Sequence, residues 1–138
     1  MTAMMYIVAP MMGLNMDIAA MLGGMLGIGW TGGLLVHFVN GTVLFALIYA
    51  LAVYARTPGS PVIKGAIWGV ALWLVAQLVI IPMVGAGVFS AAAGGMMAAA
   101  GSLGGHLLYG ALLGSIAGQA FSGGATARPA GAVRCAHC

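Results

Sequence analysis

Polar positions are rare along this chain, and the apolar runs between them are continuous rather than alternating. Continuous runs of this length predict membrane-spanning helices and argue against the strands of a transmembrane β-barrel. Four runs stand out. The first is Met1 to about Met12, short and interrupted by Pro10. The second runs from about Trp30 to Ala55. The third extends from Gly65 to Val84, with Gln77 inside it and Pro82 near its end. The fourth runs from Gly101 to Phe121. Between the second and third, Arg56-Thr-Pro-Gly-Ser-Pro61 is a turn marked by two prolines. Between the first and second, Asn15 or Asp17 is placed to cap a short helix through Gly23. Gly85 to Ala100 is a Gly/Ala/Met stretch without a usable period, where Ser90 could cap a short helix. The expectation is an all-α integral membrane protein: residues 1–121 as a bundle of four transmembrane helices, and residues 122–138 as a mobile Gly/Ala-rich tail.

Composition removes the other classes. Only 4% of the 138 residues are charged, 63% are hydrophobic and the mean hydropathy is +1.15. A soluble domain carries charge on roughly a quarter of its positions. A soluble enzyme, a nucleic-acid binder and a disordered chain are therefore excluded. The isoelectric point near 9.2 reflects the scarcity of acids, because four basic residues cannot track a phosphate backbone. Arg56 and Lys64 fall between spans two and three, and Arg128 and Arg134 follow span four. With four spans these regions share one side, which the positive-inside rule makes the cytoplasm, with both termini inside. Asp17, the single acid, falls on the other side. The N-terminal run lacks a basic leader and a clear cleavage site, so it reads as a retained span. At about 12 residues it reaches only ~18 Å of a ~30 Å core, so either it is tilted into Gly13 to Met25 or, the preferred expectation, the start is missing or misassigned.

The two halves resemble each other. Tyr6-Ile-Val-Ala-Pro-Met-Met-Gly13 matches Leu78-Val-Ile-Ile-Pro-Met-Val-Gly85, and Ala19-Ala20 matches Ala91-Ala92 at the same shift. After a small gap, His37-Phe-Val-Asn-Gly41 matches His106-Leu-Leu-Tyr-Gly110. Residues 1–55 and 65–121 are thus expected to be parallel helix-hairpin repeats about a pseudo-two-fold axis along the membrane normal. His37 and His106 become symmetry mates, each roughly 10 Å inside the membrane. Gly33, His37 and Gly41 share a helix face, as do His106, Gly110, Gly114 and Gly118, so both histidines point toward packed helices.

Ionisable residues inside a membrane are candidate functional groups. Three readings of the pair stand open: axial ligands of a haem b; ligands of copper or zinc, with Met11 and Met83 as further symmetry-related donors; or interhelical hydrogen bonds to Asn40, Tyr109 or a backbone carbonyl, with no cofactor. Asp17 reads as a helix cap before a proton or cation acceptor, and Gln77 as an interhelical hydrogen bond before a substrate contact. Cys135, His137 and Cys138 form half a zinc or iron site that another chain would have to complete; an uncoordinated tail is the plainer reading. No nucleophile–base pair, phosphate loop or paired carboxylates occur, so hydrolytic and phosphoryl-transfer chemistry is unsupported.

Pro10-Met-Met-Gly-Leu-Asn-Met-Asp17, His37-Phe-Val-Asn-Gly41, Pro82-Met-Val-Gly85 and Gly105-His-Leu-Leu-Tyr-Gly110 resemble the YagU-like group of uncharacterised bacterial inner-membrane proteins, over most of residues 6 to 120. The resemblance implies a bacterial inner-membrane location and no particular activity. The leading expectation is a small accessory or electron-transfer subunit, set in lipid with other membrane subunits or further copies of itself and with no nucleic acid as partner. A small transporter or channel protomer, and a structural assembly subunit without a cofactor, are the alternatives.

Overall fold

A computed structural model describes residues 6, 7, 10, 11 and 17–126. The expected span Met1–Met12, and with it Asn15, lies largely outside the described residues. So do Cys135, His137 and Cys138 in the tail. Among the described residues every regular element is helical. Helix α1 is Ile18–Leu26, α2 is Gly29–Val53, α3 is Pro61–Met83 and α4 is Gly95–Thr126. Three of them are long and apolar enough to cross a membrane: α2, α3 and residues Gly95–Ser122 of α4, with hydropathies of 2.0, 2.1 and 1.3. Their 25, 23 and 28 residues give lengths of ~37, ~34 and ~42 Å at 1.5 Å per residue, enough for a ~30 Å hydrocarbon core.

Local chemistry sets the ends. Asp17 caps α1, its carboxylate accepting from the Ala20 amide at 3.0 Å. Gly27, at φ 68°, closes α1 in the left-handed conformation that spares a glycine any Cβ clash, and the Ile28 amide returns to the Gly23 carbonyl at 3.0 Å. The chain thereby reverses at once, and α1 folds back along the first turns of α2. Helix α3 starts at Pro61, earlier than the apolar run alone suggests, because proline at the first helical position loses no hydrogen bond and has its φ already set. Helix α4 starts at Gly95, six residues ahead of the expected Gly101. The Met/Ala run there lacks a period but consists of strong helix formers.

Close backbone approach holds the helices together. Gly65 and Gly69 of α3 face Gly110, Gly114 and the His106 carbonyl of α4, and a Cβ on any of these glycines would strike the opposing backbone. Gly33 of α2 meets Ala19 and Gly23 of α1 in the same way. In lipid, where helices gain nothing from leaving water, this contact is the main source of association.

The region between α3 and α4 departs from expectation. Residues 84–94 form turns with one short helical twist at Val88–Ser90. Ser90 caps nothing there; its side chain is buried against Gln77. The segment that the duplication pairs with it is the nine-residue helix α1, so the two connections are built differently.

Candidate functional site

His106 lies on α4 at 6% exposure. Its Nδ1 is 2.8 Å from the Ser102 carbonyl, one helical turn back. A carbonyl can only accept, so Nδ1 carries the proton and Nε2 keeps its lone pair. This is the arrangement in which a backbone group orients an imidazole for coordination through its other nitrogen. The Ser102 hydroxyl stands farther off, at 3.5 Å.

His37 is half-buried on α2. The Tyr109 hydroxyl donates to the Gly41 carbonyl across the α4–α2 boundary. Gly41 is one turn beyond His37, and Tyr109 is about one turn beyond His106, so this bond fixes the two histidine-bearing faces opposite one another. Asn40, half-buried, opens a wide π turn over Asn40–Leu44 directly after His37. Such turns recur at functional sites in helices. Among the described residues no third His, Cys, Asp or Glu joins the pair.

The other candidates are placed apart. Met11 is 82% exposed, and Met83 is 65% exposed at the end of α3. His106 lies level with Gly69, 14 residues or ~21 Å along α3 from Met83, so Met83 and His106 share no site. Asp17 is engaged by three donors: the Ala20 amide, the Tyr6 hydroxyl at 2.8 Å and the Trp30 indole at 2.8 Å. Partial burial pushes its pKa up, but these hydrogen bonds outweigh burial and hold the carboxyl below its usual value. Gln77 is fully buried, and its Oε1 accepts from the Ser90 hydroxyl at 3.1 Å.

One cluster is absent from the sequence reading. At the basic end of the bundle, Tyr49 stacks on Trp68 at 6.3 Å and meets Tyr54 edge-on, while Tyr54 stacks on Phe121 at 4.7 Å. The Lys64 ammonium bonds the Tyr54 carbonyl at 3.0 Å and lies 4.5 Å from the centre of its ring. The available signal was four aromatics spread through three apolar runs next to the basic loop, the composition of a membrane-interface belt.

With the histidine geometry in place, comparison with known sequences adds a family. The sequence model of a family of unknown function (DUF6789) matches residues 1–125. The chain belongs to this family. No curated protein and no solved structure matches it.

Proposed function

We propose that this DUF6789 member is a small integral membrane subunit whose paired imidazoles, His37 and His106, hold a redox cofactor, haem b in the leading form. The observation that carries the reading is the His106 ring, anchored through Nδ1 to the Ser102 carbonyl with Nε2 left as a ligand, on a helix that the Tyr109–Gly41 bond ties to the helix bearing His37. Haem carries ring nitrogens of its own, so His37 and His106 would be the residues to hold it without further protein ligands. Zinc or copper would need further protein ligands. When bound, the haem supplies reversible one-electron transfer. The chain's own part is to place two imidazoles, exclude water and set the local polarity. Helix α2 is the least buried of the three spans among the described residues.

The same proposal includes the finer architecture: a fourth span from the N-terminal residues, the parallel repeat, both termini in the cytoplasm, and the bacterial inner-membrane setting that the YagU-like resemblance implies. The exposed face of α2, with Leu35, Phe38 and Leu51 at 60%, 59% and 79%, is left for lipid, for a larger membrane complex or for a further copy of the chain. A transporter or channel protomer is the second reading, favoured by the buried Gln77–Ser90 pair where the chain between α3 and α4 leaves helical geometry.

The test is the absorption spectrum of protein purified from its own membranes. A Soret band that disappears in His37→Ala and in His106→Ala supports the haem reading. Colourless protein carrying bound copper or zinc moves the pair to the metal alternative. Protein with neither group, stable by itself, refutes the cofactor reading.

A further inference from the structure

After Met83 the chain does not leave along the α3 axis. It turns back, closed by the Ala86 amide on the Ile81 carbonyl (3.1 Å), the Ser90 amide on Gly87 (3.1 Å) and the Ala92 amide on Ala86 (2.9 Å). Ser90 thereby reaches Gln77, which lies six residues, or ~9 Å, inside the end of the helix. Both side chains are 0% exposed. The Ser90 hydroxyl is 3.1 Å from Gln77 Oε1, and among the described residues Gln77 Nε2 has no partner. Whichever way the carboxamide is turned, one of its ends remains unbonded.

Two further observations mark the same place. Phe89 and Ser90 stand at φ 52° and 57°, two consecutive non-glycine residues in the left-handed region. Such conformations persist only where the surroundings enforce them, and they gather at functional sites. Gln77 itself sits in the wide π turn Ala76–Ile80. One turn deeper the interface is shut: Trp73 packs on Phe89 with ring centres 5.7 Å apart, and its indole donates to the Ala99 carbonyl at 2.9 Å. Non-helical backbone at membrane depth is tolerated only when protein or water satisfies it. A buried, unpartnered amide beside a polar hydroxyl is the chemistry that retains an internal water.

We propose that Gln77, Ser90 and the turn Gly85–Gly94 enclose an intramembrane water site near the end of the bundle away from Arg56 and Lys64, bounded on its deep side by Trp73 and Phe89. The water oxygen accepts from the free Gln77 amide hydrogen. The site is independent of the histidine pair, which it leaves on the far side of the Trp73 plug.

The test uses the unaltered full chain in bilayers, with glutamine side-chain nitrogens labelled. Water-edited solid-state NMR should show magnetisation passing from water to the Gln77 amide, identified by its loss in Gln77→Met. The exposed Gln119 serves as the positive control. A Gln77 amide that receives nothing from water overturns the proposal.

Discussion

Substituting Gly110 tests the packing on which the site stands. A Cβ added there would lie 2.9 Å from the Gly65 carbonyl carbon and 3.0 Å from the Gly69 nitrogen, where ordinary contacts begin at 3.4 Å. The Gly65 carbonyl oxygen is nearer still. All three are backbone atoms, so relief requires moving α3 or α4 as a body by at least ~1 Å, and overpacking of this kind costs about 1–3 kcal/mol. The movement also disturbs the seat of Gly69 on the His106 carbonyl, which couples stability to the histidine site. Gly41→Ala is the control, since a Cβ at Gly41 meets nothing within 4 Å. Unfolding in mixed detergent–SDS micelles, followed by circular dichroism, should place Gly110→Ala about 1–3 kcal/mol below wild type and leave Gly41→Ala unchanged or slightly more stable. A Gly110→Ala protein that unfolds like wild type, or a Gly41→Ala protein equally damaged, would refute the close-packed α3–α4 interface.

Three further outcomes are expected. Tyr109→Phe removes the hydroxyl bond to the Gly41 carbonyl and should lower stability by about 0.6–1.7 kcal/mol, the range of interhelical bonds in membranes. Trp68 carries a buried indole N–H without a partner; Trp68→Phe should therefore be neutral or stabilising in the same assay, because an unsatisfied buried donor costs about 1–3 kcal/mol. The depressed Asp17 carboxyl contributes stability that is fully present above its unfolded pKa and is lost as pH falls through the lower folded value. With a reference of 3.8, the α1–α2 hairpin should be insensitive to pH from neutrality down to that value and loosen only below it. The emission of Trp30, which donates to this carboxylate, reports the transition in a Trp68→Phe/Trp73→Phe background.

Much of the architecture was legible because membrane helices are written in long apolar runs. Trp30–Ala55 and Gly65–Val84 overlap α2 and α3 closely, and Pro61 explains the one early start. The four-residue spacing of His106 with Gly110 and Gly114 identified a packed face of α4, which meets Gly65 and Gly69 of α3. The turn after Met83 was not legible. Phe89 and Ser90 adopt conformations that no local preference assigns to them, and Ser90 is held by Gln77 from another element. The anchor of His106 was hidden for another reason: it is the backbone carbonyl of Ser102, not its hydroxyl, and a backbone acceptor leaves no mark in the residue sequence. The expected equivalence of the two halves also hid a difference, since a capped helix precedes α2 where a strained turn precedes α4.

The central claim is that His37 and His106 act as one ligand pair, and cofactor stoichiometry tests it most directly. Porphyrin and iron should be quantified per chain in wild type, His37→Ala and His106→Ala, each purified from membranes and shown to be folded. The paired-imidazole account expects about one haem per chain in wild type, consistent with a single axial pair, and little or none in either variant. Full occupancy surviving in either single variant, or no haem in folded wild type, would contradict it.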